Sequence, residues 1–280
     1  YNVAVGDSAG NAVTTGTENT VVGGLAGDAL TTGSSNLAVG YRALSASNTA
    51  AGNVALGANA MLVDTKGARN VAVGYGTLMA QNLTTAVNSF NVAVGYDAGT
   101  AVTTGLQNTL IGGGAGDALT DADSNVAIGY LSLTTDTLGS RAVAIGQGAL
   151  FSQNFTTATN SYNVGIGYET GGAITTGINN TLIGSLAGDA LTTGSYNVAV
   201  GFEALSTEDA HGNNVAVGNR ALKTLNAGTA GLNVAVGDDA GTALTTGVQN
   251  VLIGAIAGDA LTNADANVAL GYAALSSDTL

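Results

Sequence analysis

Short apolar runs recur along this chain at a nearly constant interval. Each run is a five-residue pattern of asparagine, three mostly apolar residues and glycine, with Ala142 replacing the asparagine once. The pattern starts at residues 2, 19, 36, 53, 70, 91, 108, 125, 142, 163, 180, 197, 214, 233, 250 and 267. Most steps are 17 residues, two are 21 (from 70 and from 142), and one is 19 (from 214). Such a period is typical of a repeat architecture. Positions are numbered below from the asparagine of each repeat.

The length of these runs predicts strands. Apolar runs of four to five residues bounded by Gly, Thr, Ser and Asn are β-like and too short for helices. Seventeen residues suffice for one circuit of a flattened coil, called a rung below. Stacked rungs pair each strand with its copies about 4.8 Å above and below. We therefore predict an all-β parallel β-solenoid of about 16 rungs of 17 residues, a rod of roughly 75 Å.

The rungs are of four kinds, which recur as a block of about 70 residues. The blocks run roughly over 2–90, 91–162, 163–232 and 233–280, and the fourth kind of rung carries the inserted residues. We expect one continuous repeat array over residues 1–280, as an interior segment of a longer chain.

Two repeated positions have predicted structural roles. Glycine occupies position 5 in all 16 repeats, which indicates a corner that needs positive φ or close backbone approach. The asparagines at position 1 can stack into a hydrogen-bonded ladder. This structural set is represented by Asn91, Gly95, Asn125, Gly129, Asn180 and Gly184.

The apolar residues on both faces of the strands predict that copies of the chain associate. Since side chains alternate, we expect positions 2 and 4 to point into the coil and position 3 to point outward. Position 3 is nonetheless apolar in every repeat, and its largest residues are Leu110, Leu182 and Leu252. A strand with two apolar faces is typically covered on both. These leucines are therefore predicted to form the seam of a closed homo-oligomer.

The runs Asn2–Gly6, Asn125–Gly129 and Ala142–Gly146 resemble the head repeat of trimeric autotransporter adhesins. The fuller pattern, with Asn91–Gly95 followed by Tyr96, is similar to repeats of phage tail fibres. The resemblance covers the whole chain and implies a left-handed parallel β-roll assembled as a homotrimer. The 17-residue step and the inserted loops differ from the usual adhesin repeat.

The composition argues against catalysis, metal binding and nucleic-acid binding. The chain has 43 Gly, no Pro, no Cys, one His (His211) and a net charge of −13, with 9% charged residues. Nucleic-acid binders show a basic face, so nucleic acid is not an expected partner. Thiolate zinc sites and nucleophile–base pairs lack their residues. No apolar run is long enough to span a membrane. We expect no enzyme activity, no cofactor and no metal site.

Carboxylates recur once per block, in a Gly-Asp-Ala-Leu motif. A turn-capping role is the first interpretation. An ion site on the axis of a trimer is the alternative. The four residues are Asp28, Asp117, Asp189 and Asp259.

The inserted segments, at about 79–90, 151–162 and 223–232, are the candidate ligand-contact loops. Aromatic faces stack on sugars and amides bond hydroxyls, so we predict glycan contacts there. The alternative is that these aromatics fold back onto the rod. The candidates are Phe90, Phe151, Phe155 and Tyr162. A further aromatic series, at position 6 after the corner glycine, is expected to pack at the corner.

We expect a structural and adhesive fibre, either a phage tail fibre or a bacterial surface adhesin that mediates attachment to a host or surface. Its partners would be itself and a cell-surface glycan or receptor, and its location the virion or the cell surface. Two alternatives remain. One is a self-assembling extracellular filament. The other is an ice-binding solenoid, suggested by repeated Thr-Thr pairs that several rungs lack.

Overall fold

The computed structural model describes residues 1–278, in which all regular structure is short β-strand and no helix occurs. No segment of this described part is therefore a helix able to cross a membrane. The strands are β1 (Val3–Val5), β2 (Thr20–Val22), β3 (Leu37–Val39), β4 (Val54–Leu56), β5 (Gly67–Ala68), β6 (Val71–Val73), β7 (Val87–Asn88), β8 (Val92–Val94), β9 (Thr109–Ile111), β10 (Val126–Ile128), β11 (Gly139–Ser140), β12 (Val143–Ile145), β13 (Thr159–Asn160), β14 (Val164–Ile166), β15 (Thr181–Ile183), β16 (Val198–Val200), β17 (Val215–Val217), β18 (Val234–Val236), β19 (Val251–Ile253) and β20 (Val268–Leu270).

The chain forms two compact units. The first holds residues 1–140 with 156–159, and the second holds 141–155 and the chain from 160 onward. In the first unit β1, β2, β3, β4, β6, β8, β9 and β10 pair in that order, all parallel and in register. In the second, β12 and β14 to β20 do the same. The predicted parallel β-solenoid of about 16 turns is confirmed.

The asparagine ladder is confirmed and is buried. In one rung, Asn180 Nδ2 donates to the carbonyl of Gly194 (2.9 Å) and to Oδ1 of Asn163 (3.2 Å). The Asn180 Oδ1 accepts from the backbone N–H of Asn197 (3.0 Å). Asn91 and Asn125 accept or donate in the same way. Each amide thus closes its own coil and bonds the neighbouring coil, which satisfies polar groups that burial would otherwise penalise.

The predicted direction of the strand faces is wrong. The ladder places position 1 inside the coil, and alternation then puts position 3 on the same inner side. Position 3 is buried and positions 2 and 4 are half-exposed in nearly every three-residue strand. Leu110, Leu182 and Leu252 are fully buried within the single chain, so they form its core and not an outer seam between chains.

Reciprocal side-chain sizes explain why these leucines fit inside. Leu110 occupies space left by Gly99 and Gly116, because a Cβ on either glycine would lie 2.6 or 2.8 Å from its methyl groups. Leu182 has the same relation to Gly171 and Gly188, which are also at position 9. Where position 9 is a leucine, as in many other rungs, position 3 is mostly alanine. Dense packing therefore fixes position 3 as a core position.

The corner glycines are confirmed. Position 5 has φ between +126° and +144° in all 16 rungs, Gly95, Gly129 and Gly184 among them. A Cβ on Gly112 would lie 2.4 Å from the carbonyl oxygen of Gly129, one rung away. Both conformation and the spacing of stacked backbones therefore require glycine here.

The inserted residues widen the coil rather than simply projecting from it. Gln81, Leu83 and Ser89 of the first insertion are buried, and the short strand β7 pairs with β5 of the preceding rung. The outer part, including Thr84 and Thr85, is exposed. Each insertion therefore has an inner anchor and an outer surface.

Candidate functional site: exposed aromatic pairs and the outward sheet face

The outward face of the three-residue strands is almost wholly apolar. Positions 2 and 4 carry Val, Ile or Leu in every rung, except for Thr20, Thr109 and Thr181 at position 2. These side chains are half-buried by their neighbours in the ladder and half-exposed to the outside. The two apolar faces inferred from the sequence are therefore real, but the outer one is formed by positions 2 and 4.

Three of the four predicted ligand-contact aromatics lie on the surface. Phe90 (46% exposed), Phe151 (41%) and Tyr162 (48%) are accessible. Phe155 is only 5% exposed, so its prediction as a contact residue is wrong. Phe155 holds the same position in its insertion as Leu83, which is also buried, and both anchor the insertion in the core.

Two of the exposed aromatics are paired with arginines that the sequence reasoning missed. The Arg69 guanidinium carbon lies 5.7 Å from the centroid of Phe90, and that of Arg141 lies 5.7 Å from Tyr162. Arg141 Nη1 also donates to the Tyr162 hydroxyl (2.8 Å). Each arginine precedes its aromatic by one long 21-residue step, so the spacing of the repeats alone could have revealed the pairs.

These arginines are accessible cations on an acidic protein. Both side chains are exposed, and neither forms a salt bridge within residues 1–278. By contrast, Arg220 bonds Asp239 and Lys223 bonds Glu203. An exposed guanidinium beside a ring can pair with a carboxylate or a sulfate and supply directed donors.

The aromatics at position 6 are also exposed. Tyr75 and Tyr96 of adjacent rungs stack with centroids 5.4 Å apart and planes 11° apart. The other members, which are about half-exposed or more, are Tyr41, Tyr130, Tyr168, Phe202 and Tyr272. The rings at the corner therefore also offer apolar surface to solvent.

The recurring carboxylates do not share one environment. Asp117 Oδ1 accepts a short hydrogen bond from Thr134, one rung away. The Oδ1 atoms of Asp28, Asp189 and Asp259 are buried and have no hydrogen-bond partner among residues 1–278. Burial, followed by the nearby Glu203 and Glu169, raises the pKa of Asp189. These residues remain single carboxylates of successive blocks and do not assemble with histidine or with one another into a metal-ligating group within residues 1–278.

Position 12 of the core carries an acid in some rungs. Asp64 is fully buried, where its Oδ1 accepts from the N–H of Gly67 (2.9 Å) and its Oδ2 from Gln81 Nε2 (2.7 Å). Burial raises the pKa of Asp64 despite these donors. Asp136 and Glu208 hold the same place in the next two blocks. In most other rungs position 12 is Leu, Ile or Val. Three of the four acids at this position, Asp64, Asp136 and Glu208, lie in the rung before an insertion, and the fourth is Asp278 in the last rung.

Comparison with known proteins gives no family for this chain. No protein-family model, no curated protein and no solved structure matches it.

Proposed function

We propose that this chain is part of a structural and adhesive fibre, a phage tail fibre or a bacterial surface adhesin, that attaches to a host or surface. In this proposal three copies associate as a left-handed β-roll trimer outside the cell, on a virion or a cell surface. Exposed aromatics then contact a glycan or receptor. The observation that carries the proposal is the apolar outward face of the solenoid.

The outward face has the size of an association surface. Eight strands at about 4.8 Å spacing, each presenting three residues of about 3.3 Å, give roughly 400 Å² in each compact unit. Continuous apolar patches of this size on soluble proteins commonly mark interaction sites. A second and third copy of the same face would cover it by closed symmetry, and the low content of charged residues would favour the contact.

The exposed aromatic pairs support the adhesive part of the proposal. Phe90 and Tyr162 lie at equivalent places in consecutive blocks, each beside an exposed arginine. They sit on a scaffold that their neighbouring rungs hold rigid, which is how binding residues are usually presented. Repeated weak contacts in three copies would add through avidity when the ligand is itself repetitive.

The association is tested by light scattering of the purified protein. The expected mass is three times that of the 27.1 kDa chain, independent of concentration once assembled. A stable monomer would contradict the proposal. Growth without a limiting mass would instead favour the self-assembling filament.

The adhesive role is tested on a panel of immobilised polysaccharides. The variants are Phe90→Ser and Tyr162→Ser, because Ser124 occupies the same place with the same left-handed backbone. We expect both variants to stay folded and trimeric and to lose retention on the polysaccharide that holds the parent. Gln249→Ser, at the same place in a rung without an aromatic, is the matched control. Unchanged retention of the double variant would place recognition elsewhere.

A further inference from the structure

The turn that precedes the third insertion gathers three metal-ligating side chains. Glu208, Asp209 and His211 place one ligand atom each within 4.8 Å of one another, and no other such group occurs in residues 1–278. His211 Nδ1 lies 3.1 Å from Glu208 Oε1 and 4.0 Å from Asp209 Oδ1. The Glu208 side chain is fully buried, while His211 and Asp209 are open to solvent. An ion could therefore enter from outside and meet a carboxylate held from within.

The two earlier copies of this turn keep the carboxylate but lack the other two ligands. At the places of Glu208, Asp209 and His211, the first copy has Asp64, Thr65 and Gly67, and the second has the same three residue types at 136, 137 and 139. The carboxylate of the first place is kept in all three copies, and the other two places change together, from Thr and Gly to residue types that bind metals. This joint change distinguishes the third turn from an ordinary acidic turn of the fold.

The buried carboxylate of the third copy has also lost its amide partner. Gln81 donates to Asp64 in the first copy, and the residue at the place of Gln81 in the third block is Leu225. Glu208 instead accepts from the backbone N–H groups of His211 and Ala227, and its Oε1 lies beside the ring Nδ1 of His211. A buried carboxylate next to leucine is stabilised by a positive charge, which a bound cation supplies.

The spacing of the ligand atoms fits a small tetrahedral ion. Zinc binds imidazole nitrogen and carboxylate oxygen at about 2.0–2.2 Å, which puts neighbouring ligand atoms roughly 3.3–3.6 Å apart. The distances of 3.1 and 4.0 Å bracket that range. The turn is also held in place, since Asn197 donates to the His211 carbonyl (3.1 Å) and Thr192 to that of Asp209 (2.9 Å). Small side-chain adjustments would complete the geometry.

We propose that Glu208, Asp209 and His211 bind one zinc ion, with water completing the coordination. Imidazole with two carboxylates suits zinc better than calcium, which prefers six or more oxygen ligands. The ion would link the inner carboxylate to the outer turn at the start of the third insertion. The site is independent of the adhesive role proposed above.

The test is zinc titration of the whole chain, followed by calorimetry and by the imidazole NMR signals. Because His211 is the one histidine, any imidazole shift reports this site alone. We expect saturable uptake of one ion per chain with a shifted imidazole signal. Wild-type protein that takes up no zinc, or takes it up with an unmoved imidazole signal, would overturn the proposal.

Two variants separate the site from general attraction of cations to an acidic protein. His211→Gln keeps the size of the side chain and should abolish the one-ion uptake. The triple change Glu208→Asp, Asp209→Thr and His211→Gly restores the turn of the second copy, and it should also lose zinc while remaining folded by circular dichroism. Uptake that persists in folded His211→Gln protein would show that the histidine is not a ligand.

Discussion

Leu182 and Ile183 are neighbours in one strand and lie in opposite environments. Leu182 is fully buried between Gly171 and Gly188, while Ile183 is 37% exposed on the outward face. Both are large and apolar, so their identity alone does not reveal which one the chain buries. The difference shows that one three-residue strand serves two apolar surfaces. The inner surface completes the core of the chain, and the outer one is left for another partner.

The largest expected effect comes from placing a charge on the inner apolar surface. Leu182→Asp places a carboxylate in a fully buried apolar site without a donor, and an unpaired buried charge costs several kcal/mol. We expect local unfolding of the rungs around β15, measured as loss of cooperative thermal unfolding and of amide protection from hydrogen exchange. A normally folded variant would contradict the assignment of position 3 to the core.

The matched change on the outer surface is Ile183→Asp. Because this side chain reaches solvent, the isolated chain should remain folded with a loss of stability of about 1 kcal/mol or less. If the outward face is covered by further copies, the same change should dissociate them, which light scattering measures. Equal unfolding by both variants would erase the distinction between the two faces.

The sequence was sufficient for the repeat architecture but not for the direction of its strands. Asparagine and glycine recur with one role each, so Asn180 and Gly184 could be assigned to the ladder and the corner from their periodicity. Position 3 was ambiguous because both strand faces are apolar. The sizes at positions 3 and 9 resolve this ambiguity. Where position 9 is Leu, position 3 is Ala, and where position 3 is Leu, position 9 is Gly. Two large side chains cannot occupy one place, so both positions face the core.

The candidate contact residues were only partly predictable for a related reason. Phe90 and Phe155 both lie in inserted segments that break the 17-residue period, and no surrounding repeat shows which residue of an insertion turns inward. Their exposures differ about ninefold, 46% against 5%. The pairing of Arg69 with Phe90 depends on stacking between rungs, and it becomes visible only when the longer step is counted.

An effect smaller than that of Leu182→Asp is expected at a corner, where the backbone and not a side chain limits the space. Gly112→Ala puts a Cβ 2.4 Å from the Gly129 carbonyl oxygen at φ +136°, so the rungs must separate locally. We expect a loss of about 2 kcal/mol or more in the free energy of unfolding. Gly113→Ala is the adjacent control, since its Cβ meets Tyr130 at an ordinary 3.5 Å. Denaturant unfolding of both variants should separate them clearly.

The smallest effect concerns an acidic side chain that is buried in the core. Asp64 points inward like Leu182, but it is given donors by Gly67 and Gln81. Burial still raises its pKa above the ordinary value of 3.8. The folded chain therefore binds a proton more tightly than the unfolded chain. This contribution to stability is present at and below about pH 4 and is lost as pH rises through the folded pKa.

Asp64→Asn removes the titration and should flatten the change in unfolding free energy from pH 4 upward, with Thr65→Ser as a non-titrating control in the same turn. A wild type whose stability instead rises more steeply than that of Asp64→Asn over this window would mean that the donors outweigh burial. The inner face would then hold Asp64 as a stabilised carboxylate, with a pKa below its ordinary value.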